Sequence, residues 1–449
     1  MTEHFDVAVL GMGPGGEVVA DPLIAAGKRV AVIERELIGG ECAYWACIPS
    51  KTVLRPAEAR TEVHRAAGVS GAEVDWAAAR EHRDVMIRHL DDSAQADGYT
   101  DQGATVIRGE ARLTGPGRIR IGDRELTAEH VVVATGSEAV VPPVEGLEEI
   151  TAWTNRETYT ARDLPERAVV VGGSAVGIET ATFLAGFGVQ VVLVHRGERL
   201  LDREDPRVGE LVHHYLSEGG VQVRLNASAA TAHRDGADSV VTLEDGTELA
   251  ADVVVLGTGR RPRTEGLGLE EAGARLGEHG EVLVDEHCRA GENLWAVGDV
   301  TGVLPFTHVA KYQGRIAAAA ILGRPRPATY EGIPRVVFAD PEVAAAGLTP
   351  EQAQQRGIRT AATELDLAQA LARPWTFEDD PRGHLGLLAD TDRGVLIGAW
   401  AVGPMAGEWI HQASLAIRTR LPLEVLRDQV AQFPTYHEAY QAALDGLDA

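Results

Sequence analysis

Apolar and polar positions along this chain switch between two periods, and the switches mark its elements. Phe5-Asp6-Val7-Ala8-Val9-Leu10 is a short apolar run of strand character, cut off by Gly11-Met12-Gly13-Pro14-Gly15-Gly16. A helical stretch to Ala26 and a second apolar run, Arg29–Ile33 ending on Glu34, complete a βαβ unit. Pro22 falls inside the predicted helix, where it removes a backbone hydrogen bond, so a kink is expected there. The same succession returns as the strand Ala168–Val171, the turn Gly172–Gly177 and the strand Gln190–Val194.

Between the two units the pattern is helical, with Trp76, Met86, Ile87 and Leu90 on the predicted buried face. Arg118–Ile121 and Glu125–Thr127 read as a hairpin over a strand Val131–Val133. Pro142-Pro143 and Pro325–Pro327 are candidate linkers. After Tyr330 the texture becomes strand–helix–strand: Arg335–Phe338, Pro350–Arg356, Leu385–Leu388, Val395–Val402 and Gly407–Arg420. That is a compact α+β domain.

Length and charge narrow the picture. The 449 residues correspond to about three domains. A formal net charge of −25 sets the chain against nucleic acid and anionic membranes as main partners. No run of about 18 apolar residues predicts a membrane-spanning helix. Met1 to His4 lead straight into the first strand, with no basic stretch or cleavage site, so the cytoplasm is the expected compartment. Three cysteines make no secreted disulfide framework. Of the 42 basic residues only Lys28, Lys51 and Lys311 are lysine.

The chemistry sits at the turns. In Gly11-x-Gly13-x-x-Gly16 the glycines allow a tight turn and let a pyrophosphate approach the backbone at a helix N-terminus. Glu34, 23 residues after Gly11, is placed for ribose hydroxyls. The second copy differs: Ser174 takes the middle glycine position between Gly172 and Gly177, and His195 stands where an acid is usual, followed by Arg196 and Arg199. Cationic side chains there favour a 2′-phosphate, hence NADPH over NADH; a solvated turn is the competing reading. Cys42 and Cys47, with four residues between them, lie in Gly39-Gly40-Glu41-Cys42-Ala43-Tyr44-Trp45-Ala46-Cys47-Ile48-Pro49-Ser50-Lys51. Such a pair can cycle between dithiol and short-loop disulfide, and thiols at a helix start beside a cation are expected at lowered pKa. A structural disulfide or a buried thiol pair is the bland alternative. Tyr44 and Trp45 are expected to narrow the thiol side.

These motifs together resemble the flavoprotein disulfide reductases, the family of dihydrolipoamide dehydrogenase, glutathione reductase and mercuric reductase, over nearly the whole chain. The resemblance implies an α/β fold of two Rossmann-like dinucleotide-binding domains and a C-terminal α+β dimerisation domain. It places the FAD domain at 1–147 and 261–328, the NAD(P)H domain at 148–260 and a homodimer-forming domain at 329–449. It assigns Gly11, Gly13, Gly16, Glu34, Gly40, Thr135, Gly136, Asp299, Val309 and Ala310 to FAD. It assigns Gly172, Ser174, Gly177, His195, Arg196 and Gly259 to NADPH. Cys47 would contact the flavin and Cys42 would exchange with substrate, with Lys51 near the flavin N5 and paired with Glu179. Cys288 is expected to be a core residue.

One family feature is broken. The C-terminal His-Pro-Thr-x-x-Glu motif, whose His is the acid–base for the exchanging thiol, here reads Phe433-Pro434-Thr435-Tyr436-His437-Glu438. Phenylalanine cannot carry a proton, so His437 or Tyr436 is the candidate substitute, with Glu438 retained. The expected activity is transfer of electrons from NADPH through flavin and the Cys42–Cys47 pair to a small disulfide. A quinone or metal ion as acceptor, or a non-catalytic redox sensor, are the alternatives.

Overall fold

The computed structural model describes residues 3–447. It divides into two compact units. One comprises the chain up to Pro49 with Glu81–Val140 and Gly259–Thr329; the other comprises Ser50–Arg80, Val141–Thr258 and the chain from Tyr330.

The first unit is built on a sheet whose strands run in the order Arg289–Gly291, Leu294–Ala296, Arg124–Val133, Glu3–Leu10, Val30–Glu34, Thr105–Arg108. Val9 pairs in parallel register with Val32 on one side and Val132 on the other. Val7 to Leu10 are all buried: Val7 and Val9 pack with helix residues Val19, Leu23 and Ile316, and Ala8 and Leu10 pack on the other face with Leu113, Ile119 and Leu269. Helix Pro14–Ala25 runs on through Pro22 and ends three residues later, and it packs on helix Thr307–Ile321. The approach is close: a Cβ on Gly314 would lie 2.8 Å from the Gly15 carbonyl oxygen.

Two expectations fail here. Glu125–Thr127 and Val131–Val133 are one strand, Arg124–Val133, with no turn-forming residue between them. Its first half pairs antiparallel with Arg118–Ile121, and its length pairs parallel with Glu3–Leu10. Of the residues predicted for a buried helix face, Ile87 is 2% exposed but Met86 and Leu90 are 44% and 41% exposed. Helix Trp76–Met86 ends there, and Arg88, His89 and Leu90 follow with φ of 53°, 51° and 59°. That left-handed turn takes Leu90 off the helical face.

The second unit contains a parallel sheet ordered Gln222–Arg224, Gln190–Val194, Arg167–Val171, Val253–Leu256, Ala152–Trp153. An antiparallel sheet of Ala229–Asp235, Asp238–Leu243 and Glu248–Ala251 accompanies it. Trp76 packs here, its ring 5.6 Å from Phe183 and 5.4 Å from Phe187. The C-terminal part is an antiparallel sheet ordered Pro334–Val337, Val343–Gly347, Val395–Val402, His384–Asp390, Thr360–Asp366. The last of the segments read from sequence, Gly407–Arg420, carries two helices, Ala406–Trp409 and His411–Thr419. Both candidate proline linkers lie outside helices and strands.

Candidate active site

The first glycine turn is tight. Gly11 has φ +94°, and a Cβ on it would lie 2.5 Å from the Ala134 carbonyl oxygen; one on Gly16 would lie 2.1 Å from that of Gly11. Gly13 differs, since a Cβ there would meet only the Gly40 Cα at 4.0 Å. Gly13 and Gly40 therefore leave bare backbone before helix Pro14–Ala25, which begins with proline and so lacks only an N–H that needs no partner. Such a cradle fits a pyrophosphate. Glu34 is buried, with Oε2 accepting the Met12 N–H (2.7 Å) and Oε1 the Glu36 N–H (2.8 Å). Its remaining lone pairs are available to hydroxyls.

The other predicted flavin residues gather in the same unit. Asp299 accepts the Ser137 hydroxyl (2.6 Å), and Arg260 Nε donates to the same Ser137 oxygen (2.8 Å). The Thr135 hydroxyl donates to the Arg263 carbonyl (2.7 Å), and Gly136 takes φ of +71°. Gly259, expected with the nicotinamide nucleotide, takes φ of +119° and falls in this first unit. Val309 and Ala310 are buried in the first turn of helix Thr307–Ile321. Ser137 and the fully buried Gln313, which accepts the Gly298 N–H (2.7 Å), were missed from sequence because neither belongs to a glycine motif. Cys288 is buried, as expected.

Cys42 lies on the short helix Gly40–Tyr44, and Cys47 opens helix Cys47–Arg65. The two are thiols, hydrogen-bonded to each other and not joined as a disulfide. Cys47 Sγ is 3.3 Å from the Thr307 hydroxyl. The Cys42 thiol is pushed up, chiefly by its hydrogen bond to Cys47, then by burial and by the neighbouring Cys47 charge; Thr307 and Lys311 pull it down. That reverses the expected lowering for Cys42. Tyr44 is fully buried, donates to the Ile38 carbonyl (3.1 Å) and accepts from Arg88 Nη1 (3.3 Å).

In the second unit Lys51 Nζ donates to Glu179 Oε2 (2.7 Å), and Glu179 Oε1 accepts the Phe338 N–H (3.1 Å). Lys51 also sits 4.7 Å from the centre of the Phe338 ring. The second glycine turn repeats the first: a Cβ on Gly172 would lie 2.3 Å from the Gly257 carbonyl oxygen, and one on Gly177 1.8 Å from that of Gly172. The Ser174 hydroxyl donates to Gly257 (3.1 Å). His195 Nδ1 accepts the Gly173 N–H (3.1 Å), which puts the ring proton on Nε2. Nε2 makes no hydrogen bond of good geometry, although the Arg199 carbonyl is nearby. Burial pushes the His195 pKa below its ordinary value, so the ring is neutral near pH 7. Arg196 is exposed, while Arg199 is held by the Asp202 carbonyl (3.2 Å) and Glu351 (3.5 Å).

At the C-terminal motif Phe433 is 75% exposed. Tyr436 is buried and stacked on Trp409, and burial pushes its phenol up to about 12. A buried phenol of that kind is a poor substitute base. His437 is half-buried with Nδ1 3.0 Å from Gln412 Oε1, and Glu438 Oε2 accepts the Thr435 N–H (3.1 Å).

Two glycine-turn folds, one followed by a vicinal thiol pair and the other carrying a Lys–Glu pair, define a nucleotide-dependent oxidoreductase. Residues 5–314 match the model of the pyridine nucleotide-disulphide oxidoreductases, and residues 333–444 match the dimerisation domain of the same family. The chain belongs to this family of FAD-dependent, pyridine nucleotide-linked enzymes. It is 33% identical over 455 residues to a mercuric reductase of Acidithiobacillus ferrooxidans, covering 98% of this chain and 82% of that one. It is 31% identical to a dihydrolipoyl dehydrogenase of Bacillus subtilis, covering 98% and 96%. Among solved structures it resembles the Cu(II) complex of the HOCl-induced flavoprotein disulfide reductase RclA from Escherichia coli, with a TM-score of 0.89 and 27% identity over 99% of both chains.

Proposed function

We propose that the chain is an NADPH-oxidising flavoprotein reductase whose Cys42–Cys47 pair delivers electrons to a small disulfide. The observation that carries this is the hydrogen-bonded thiol pair, with Cys47 against Thr307 and a glycine cradle in the same unit. In this reading residues 1–147 with 261–328 hold FAD, 148–260 hold the nicotinamide nucleotide and 329–449 form a homodimer interface. The residues present fit FAD: the Gly13–Gly40 backbone suits the pyrophosphate, Glu34 the ribose and Asp299 the ribityl chain. Bound FAD supplies two-electron exchange between nicotinamide and thiols. Cys47 contacts the flavin, Cys42 exchanges with substrate, and Lys51 is fixed in place by Glu179. His195 and Arg196 support NADPH, because neither repels a 2′-phosphate. His437 and Glu438 are the remaining groups of the C-terminal motif able to move a proton. Among the described residues no helix is long and apolar enough to cross a membrane, which accords with a cytoplasmic location.

A second reading, a thiophilic metal ion as acceptor, is favoured by the mercuric reductase relatives and by the Cu(II) complex of the RclA neighbour. Among the described residues no cluster of three His, Cys, Asp or Glu could hold a resident metal, so the metal would be a substrate taken by the two sulfurs. Anaerobic NADPH titration of the purified holoenzyme tests the relay. A long-wavelength charge-transfer band, abolished in Cys47→Ser, is expected. Flavin bleaching with no such band overturns the relay, and turnover with Hg(II) or Cu(II) but no small disulfide selects the second reading.

A further inference from the structure

Lys311 is one of three lysines in the chain and belongs to none of the motifs above. Helix Thr307–Ile321 begins at Thr307, whose hydroxyl is 3.3 Å from Cys47 Sγ. Lys311 lies one turn further on, and residues four apart share a helix face. Its side chain is therefore presented on the face that meets the thiol pair, at the exposed end of that face. It acts electrostatically on Cys42 and also on Glu17, in the first turn of the helix packed against it. Glu17 is half-buried beside Asp21 and Arg88, and burial holds its carboxyl above the usual range, which weakens its claim on Lys311. The acid next to Cys42 in sequence, Glu41, is occupied by Arg263 (3.2 Å) and Arg260 (3.8 Å). Among the described groups that act on Cys42 are Cys47, the neutral Thr307 hydroxyl and the Lys311 cation.

We propose that Lys311 is the positioning cation that stabilises Cys42 as a thiolate, in a site whose motif position 433 is phenylalanine. This rests on the reading of Cys42 as the exchanging thiol. In the reduced pair the proton held by Cys42 passes to the Cys47 sulfur, and Lys311 favours that transfer by stabilising the charge left on Cys42. The Cys42 thiolate attacks one sulfur of the substrate disulfide, forming a mixed disulfide and expelling a thiolate. That thiolate takes the proton from Cys47, and the Cys47 thiolate attacks Cys42, expelling the second thiolate and closing the Cys42–Cys47 disulfide. The substrate disulfide is reduced by two electrons, the pair is oxidised by two, and one proton is conserved throughout.

The test is the rate of iodoacetamide alkylation at Cys42 in the reduced holoenzyme, read by peptide mass spectrometry from about pH 5 to about pH 10. Lys311→Met is expected to shift the alkylation midpoint up by roughly half a unit to one unit and to slow alkylation near neutrality about threefold to tenfold. Lys311→Arg should restore the wild-type profile. High salt should move the wild-type profile toward that of Lys311→Met, which keeps the test open if the Met variant folds poorly. An unchanged profile in Lys311→Met, or a salt-insensitive wild-type profile, overturns the proposal while the NADPH charge-transfer band is intact. Absence of that band in the wild type instead overturns the relay itself.

Discussion

Glu34 and His195 hold the same position in two successive folds. Each accepts the backbone N–H of the second residue of its glycine turn, Met12 at 2.7 Å and Gly173 at 3.1 Å, and each stands 22 residues after its donor. In the proposed nicotinamide-nucleotide site, exchanging carboxylate for neutral imidazole removes a negative charge beside the turn. His195→Glu should therefore keep the turn and change the nucleotide. KM for NADPH should rise about tenfold to a hundredfold while KM for NADH falls. Equal effects on both nucleotides would mean that His195 only supports the turn.

The burial of His195 makes stability depend on pH. Burial lowers the His195 pKa in the fold, whereas the unfolded chain recovers an ordinary value of about 6.5. Below that value the unfolded chain binds the extra proton first, so stability is full above it and is lost as pH falls through it. His130 is also lowered by burial and has the same sign. His195→Asn, whose amide oxygen can accept the Gly173 N–H, should narrow the gap in Tm between about pH 7.5 and about pH 5.5. A gap of unchanged width would place the acid sensitivity elsewhere.

Lys51, Glu179 and the Phe338 N–H form one network in which Glu179 is the buried member, its side chain 9% exposed against 34% for Lys51. Lys51→Met leaves a buried carboxylate with only an amide partner and should cost about 1–3 kcal/mol in urea unfolding. Glu179→Gln keeps an acceptor for Phe338 and removes the charge. The double variant should then be less destabilised than the sum of the singles, by about 1 kcal/mol or more. Additive losses would show that the ion pair carries no coupling.

Most of the architecture was legible because its signals are local. Apolar runs ending on glycine marked the strands Glu3–Leu10 and Arg167–Val171, and the spacing to Glu34 and His195 marked both turns. The failures are non-local. Arg124–Val133 reads as two pieces because only its first residues pair antiparallel with Arg118–Ile121, while from Leu126 onward it pairs parallel with Glu3–Leu10. Leu90 carries the right period but follows a left-handed turn that no glycine or proline announces. Lys311 shares no motif with the cysteines and reaches them only through the helix that starts at Thr307. The high Cys42 pKa could not be read from its helix because the dominant cause is the other thiol.

Phe433 offers a substitution with little structural risk. Its side chain is 75% exposed, so Phe433→His should change stability by no more than about 0.5 kcal/mol. Glu438 uses one carboxylate oxygen on the Thr435 N–H and keeps the other for an imidazole. A positioned base contributes about 10²–10⁴ in rate, and an imidazole not otherwise tuned should still raise kcat/KM on a small disulfide about tenfold. Turnover of Hg(II) should not change, since that acceptor needs no protonated leaving group. A disulfide rate that stays flat would show that proton supply does not limit the reaction.

Arg88, His89 and Leu90 form a left-handed turn without glycine, a conformation costing roughly 1–2 kcal/mol per residue. Arg88 has a reason to bear it. Its Nη1 donates to the Tyr44 hydroxyl at 3.3 Å and its guanidinium lies 5.8 Å from the Tyr44 ring, two residues from Cys42. His89 is exposed. His89→Gly should accordingly raise stability by about 0.5 kcal/mol or more, the relief of strain exceeding the added freedom of the unfolded chain. Arg88→Gly relieves the same kind of strain but leaves the buried Tyr44 hydroxyl without its donor. It should be neutral or destabilising, and Cys42 should alkylate faster at alkaline pH as the segment carrying Tyr44 loosens. If both glycines stabilise equally and leave Cys42 unaltered, the strained turn has no part in holding the thiol segment.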